Sequence, residues 1–113
     1  MSRTYYNKLI RDLIPATIEA DNGKPTLSVL TDEAFLLSLK EKLVEEATEA
    51  SKAADRHTLL KELADVLEVI DALAAAHDIP LEDIRAFQAK KRTARGGFEK
   101  KLFLSYVDKV TKK

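Results

Sequence analysis

The sequence predicts an all-α chain, an antiparallel helical bundle with short extended segments at its ends. Three observations predict it. Hydrophobic residues make up 45% of the chain but aromatic residues only 6%, and Ala and Leu dominate the apolar set, a balance that favours packed helices over a β-sandwich. Only three Gly and three Pro interrupt 113 residues, too few for a fold built on many turns. Two long stretches carry apolar residues at helical spacing, and the polar interruption between them, Ala54-Asp55-Arg56-His57-Thr58, is short enough to force an antiparallel pair. The length suits one domain, spanning residues 1–113.

Taken in order, residues 5–14 are apolar at Leu9, Ile10, Leu13 and Ile14, with Lys8 and Arg11 three positions apart. Pro15 suits the first turn of a short helix running to about Asp21, which Asn22-Gly23 stops. Residues 24–30 alternate weakly and read as an extended connection or a short edge strand. Thr31 or Asp32 is placed to cap a long helix over residues 33–54. A second long helix is expected over residues 58–77, broken by Asp78-Ile79-Pro80, and Pro80 opens another over residues 81–93 with Leu81, Ile84 and Phe87 facing inward. Gly96-Gly97 ends that helix. Phe98, Leu102, Leu104 and Tyr106 then share one parity, as an extended segment docking on the bundle would, and the last residues, 109–113, are expected to fray.

The long helices hold the most informative residues. At 100° per residue, Phe35, Leu39, Leu43, Ala50 and Ala54 form one apolar sector, with Glu46 inside it and Glu49 just off its edge. On the second helix Leu59, Leu60, Leu63, Val66, Leu67, Ile70 and Leu73 form the main stripe, and Glu62 and Asp65 lie beside it among Val69, Ala72 and Ala76. Lys40, Lys61 and Glu68 hold the solvated faces. A turn centred between Asp55 and Arg56 brings Glu49 level with Glu62 and Glu46 level with Asp65. Four carboxylates meeting at one height, partly withdrawn from water, are costly unless they protonate or bind cations. Oxygen donors without Cys or His suit hard cations, Mg2+ or Mn2+ before zinc.

Formal net charge is zero, which offers no overall attraction to a nucleic acid polymer. Charge is unevenly spread, however: residues 41–85 carry twelve Asp and Glu against five Lys and Arg, and residues 86–113 carry two against nine. An acidic middle beside a basic tail suits a carboxylate-held metal and a polyanionic ligand. The absence of Cys removes disulfide and thiolate chemistry. No apolar run reaches the roughly 20 residues needed to span a bilayer, and the N-terminus lacks the apolar core of a signal peptide, so the expectation is a soluble cytoplasmic protein that does not engage membranes. His57 and His77 read as surface residues. Ser and Thr lack a neighbouring His base, and no phosphate-cradling glycine loop is present.

Glu45-Glu46-Ala47-Thr48-Glu49, followed twelve residues later by Glu62-Leu63-Ala64-Asp65, resembles the EExxE and ExxD signature of the all-α nucleoside triphosphate pyrophosphatase superfamily, the MazG-like proteins. The flanks Asn7-Lys8-Leu9-Ile10-Arg11-Asp12-Leu13-Ile14-Pro15 and Arg95-Gly96-Gly97-Phe98-Glu99-Lys100 resemble a compact branch of house-cleaning pyrophosphatases. The resemblance implies a MazG-like bundle that hydrolyses a nucleoside triphosphate between its α and β phosphates in a Mg2+-dependent reaction, Mn2+ being the other metal of choice. It implies Glu46, Glu49, Glu62 and Asp65 as metal ligands, with Glu45 also catalytic, either supporting the metal ligands from behind or orienting water. Lys8, Arg11, Lys91 and Arg95 are the candidate phosphate contacts. A homodimer or homotetramer is implied too, since the apolar sectors are too wide for one hairpin to cover. The alternatives are a phosphoribosyl-ATP pyrophosphohydrolase, which shares the acidic signature, and a non-catalytic helical metal-binding dimer.

Overall fold

In the computed structural model, which describes residues 2–111, every regular element is a helix: α1 (Ile14–Ala20), α2 (Asp32–Lys52), α3 (Arg56–Ala76) and α4 (Leu81–Arg95). Lys112 and Lys113, part of the tail expected to fray, lie outside the described residues. Contacts group the chain into two compact units, Met1–Pro80 and Leu81–Lys113.

Within the first unit, α1 starts with Pro15 in its first turn, where the missing N–H costs no hydrogen bond. It ends in a Schellman motif: the Gly23 N–H donates to the Ile18 carbonyl at 2.9 Å and the Asn22 N–H to the Glu19 carbonyl at 3.0 Å. Asn22 takes the left-handed conformation there, φ 66, and a Cβ on residue 23 would stand 2.6 Å from Ile18 Cγ2, so glycine is required by space. Residues 24–30 form a connection with no strand.

The long pair begins at well-made caps. Thr31 accepts a hydrogen bond from the Ala34 N–H at 3.2 Å, and Asp32 and Glu33 place negative charge in the first turn of α2. The Asp55 carboxylate accepts from the Thr58 N–H at 2.8 Å and from the Thr58 hydroxyl at 3.2 Å, which starts α3 two residues earlier than the periodicity predicts. These backbone and side-chain hydrogen bonds from Thr58 hold the Asp55 carboxyl below its ordinary value of 3.8. The turn is therefore Ala53-Ala54-Asp55, centred on Ala54.

The hairpin packs on an unexpected face of α3. Val69 and Ala74 are buried, Glu62, Asp65, Val66, Ala72 and Ala76 are half-buried, and α3 packs on α2, whose Leu39 is buried at 3% exposure. The leading end of the main leucine stripe, by contrast, faces solvent at Leu59, Leu60, Leu63 and Leu67. Together with Arg56 and Ala64 these leucines line a shallow apolar groove. Lys40, Lys61 and Glu68 are exposed, as the wheels require.

In the second unit α4 ends at Gly96, whose φ of +82 is a left-handed conformation that glycine adopts without strain. Arg92 pairs with Glu99 just beyond and holds that carboxyl below its ordinary range. The apolar side chains expected to be covered are open: Leu81, Ile84 and Phe87 on α4, and Phe98, Leu102, Leu104 and Tyr106 in the tail, are all exposed.

Candidate metal centre

The inner face of the hairpin brings Glu46 of α2 together with Glu62 and Asp65 of α3, each offering a carboxylate oxygen within 4.8 Å of the other two. Each is half-buried, and Glu46 keeps only 13% of its side chain exposed. The spacing is helical: Glu62 and Asp65, three apart, share one side of α3 and look across at a single residue of α2.

Glu49 is not in this group and is exposed. The turn explains the difference from expectation. With its centre at Ala54, a symmetric hairpin sets Glu46 level with Glu62 and Glu49 level with Leu59, one turn of helix closer to the connection.

Basic side chains surround the cluster. Arg11 Nη2 donates to Asp65 Oδ1 at 2.7 Å, across 54 residues of sequence, and Lys8 Nζ reaches Glu45 Oε1 at 3.4 Å. Lys42 stands 3.3 Å from Glu45 Oε2 and 3.5 Å from Glu46 Oε1. Partial burial pushes the Glu45 carboxyl up, but the hydrogen bond and charge of Lys42, then the charge of Lys8, outweigh it and hold the group below its ordinary 4.5. Glu45 is thus ionised at neutral pH. Among the described residues Glu62 has no basic partner, so the centre keeps one carboxylate without a counter-ion.

Lys42 is the residue that sequence reasoning passes over. It lies three and four positions before Glu45 and Glu46 on one helix, the spacing at which charged side chains meet, and that signal was available. Lys91 and Arg95 lie in the second half of α4, in the other unit, with exposed side chains.

The donor set fits a hard divalent cation: oxygens alone, convergent, and partly shielded from water. Residues 10–92 match the phosphoribosyl-ATP pyrophosphohydrolase family. The chain belongs to this family. As a pyrophosphohydrolase of the all-α MazG-like superfamily it is a hydrolase of phosphoric anhydrides, and the carboxylates that the hairpin gathers lie inside the matched residues. No curated protein and no solved structure matches the pyrophosphohydrolase chain. No helix among the described residues is long and apolar enough to cross a membrane.

Proposed function

We propose that this pyrophosphohydrolase cleaves nucleoside triphosphates between the α and β phosphates, in a Mg2+-dependent reaction that yields the monophosphate and pyrophosphate and removes unwanted or damaged nucleotides. The observation that carries the reading is the convergence of Glu46, Glu62 and Asp65 within 4.8 Å, ringed by Lys8, Arg11 and Lys42. Anionic groups to hold a metal and cationic groups to hold phosphate lie side by side.

Glu46, Glu62 and Asp65 would hold the metal, with Glu49 one turn away. Mg2+, or Mn2+ in its place, supplies neutralisation of phosphate charge and a lowered pKa for the attacking water when bound. Glu45 is suited to orienting that water, because a carboxylate held ionised by two lysines is a weak base but a fixed acceptor. Lys8 and Arg11 reach the same edge and neutralise the departing pyrophosphate.

A second reading, phosphoribosyl-ATP as substrate, is favoured by the description of the matched family. The house-cleaning reading draws on the flanks Asn7–Pro15 and Arg95–Lys100, of which residues 10–15 lie inside the matched residues 10–92 and the rest outside them. Pyrophosphate release from natural and damaged nucleoside triphosphates and from phosphoribosyl-ATP, with Mg2+ and with chelator, separates the two. Turnover of phosphoribosyl-ATP alone would replace the first reading with the second. Metal binding without release from any nucleotide would favour a non-catalytic dimer.

A homo-oligomer completes the proposal. The exposed row Leu59, Leu60, Leu63 and Leu67 is an apolar stripe of the kind that a second copy would cover in a dimer or tetramer, and the chain would work in the cytoplasm.

A further inference from the structure

Two kinds of cation touch the acidic cluster, and they differ in how they are held. Lys42 projects from α2 itself and meets Glu45 and Glu46 over a single turn, with 17% of its side chain exposed, so it is anchored on the same helix as both partners. Lys8 and Arg11 come from a segment with no regular structure that precedes α1, and both side chains are about half exposed, at 44% and 54%. Their ion pairs with Glu45 and Asp65 are the polar ties between this segment and the hairpin. Arg11 also occupies one of the three carboxylates that the metal would use.

A divalent cation and a guanidinium cannot share Asp65 comfortably. At ion-pair distance the repulsion between a double and a single positive charge exceeds, several-fold, the small net worth of a half-exposed ion pair. We infer that Arg11, seconded by Lys8, is an exchangeable counter-ion: it sits on Asp65 while the centre is empty of metal, is displaced when Mg2+ binds, and closes back onto the polyphosphate of the substrate. The order of events follows, metal first and phosphate second. A planar guanidinium changes partner from carboxylate to phosphate with little loss, since both offer the paired oxygens it recognises. The inference rests on the reading that Glu46, Glu62 and Asp65 hold Mg2+.

Mg2+ titration by calorimetry and limited trypsin digestion, both on the full chain, test it without recourse to turnover. Arg11→Gln should bind Mg2+ about three- to tenfold more tightly than the wild type, and Lys8→Gln should shift the same way by less. Lys61→Gln, which removes the same charge from the solvated face of α3, should leave the affinity close to that of the wild type. In the wild type, trypsin cleavage after Lys8 and Arg11, measured relative to cleavage in the C-terminal tail, should rise with Mg2+ alone and fall again when inorganic pyrophosphate is added over excess Mg2+. Equal Mg2+ affinity in wild type and Arg11→Gln, with cleavage indifferent to Mg2+, overturns the exchange while leaving the metal centre standing. Failure of every protein to bind Mg2+ overturns both.

Discussion

The two faces of α3 reverse the usual distribution of residues. Its inner face, against α2, carries Glu62 and Asp65 among Val69, Ala72 and Ala76, whereas its outer face shows Leu59, Leu60, Leu63 and Leu67 to solvent. Leucines in water forfeit about 25 cal/mol for every Å² of apolar surface left unburied, and clustered carboxylates repel one another. A fold settled by hydrophobic burial within one chain would turn α3 the other way. The proposed cation between the acids and the proposed second chain over the leucines would each offset one of these costs.

The comparison can be broken first at the hydrophobic core of the hairpin. Leu39, at 3% exposure, is the most buried large side chain of the inner face, and Leu39→Ala should cost about 2–5 kcal/mol, read by urea denaturation. A cost under 1 kcal/mol would mean that α2 does not pack where it is drawn. Next come the acids. Asp65→Asn should cut turnover by about a hundredfold or more while circular dichroism stays helical. Glu62→Gln should do the same and, because it removes a charge with no basic partner, should raise the melting temperature of the metal-free protein slightly. Full activity in both would remove the cluster from the chemistry.

For the outer face, Leu63→Glu with Leu67→Glu should leave the hairpin helical but shift sedimentation toward the monomer. An unchanged sedimentation coefficient would show that the stripe is not an interface. The smallest effect concerns the cap. Asp55→Ala should lower the melting temperature at neutral pH by a few degrees. Because the Asp55 carboxyl is held below 3.8 when folded, the ionised cap stabilises the protein above that pH, and its contribution is lost as the pH falls through the lowered value. The gap between wild type and Asp55→Ala should therefore stay level down to about pH 4 and narrow below it. A gap that widens in acid would contradict the capping role.

The helices were legible because their signals are local. Pro15, Asn22-Gly23, Thr31 and Gly96 mark ends through their own backbone chemistry, and the apolar spacing of residues 33–54 needs no partner to be read. The carboxylates were legible as well, through the offset of Glu46, Glu62 and Asp65 from the solvated faces. What escaped depends on distance through space. Asp55 is the cap rather than a residue of the polar turn, and the hairpin centre that follows sets Glu49 out of level with Glu62. The pairing of Arg11 with Asp65 spans 54 residues, and no periodicity encodes it. The leucine stripe is plain in the sequence, but its exposure in the single chain follows from which face α2 takes.

The Asp55 cap has a consequence beyond stability, because it acts as the zero mark of a dial. Glu62 comes seven residues after it and Asp65 ten, so each carboxylate points in a direction counted off in steps of about 100° from that mark. One residue inserted between Asp55 and Glu62 would swing both acids a quarter turn or more from Glu46, whereas seven inserted residues, which return the angle to within about 20°, would carry them about 10 Å along the axis and out of level with it. Height and angle are thus set together by the distance from the cap, and either insertion should leave the chain helical while parting Glu62 and Asp65 from Glu46.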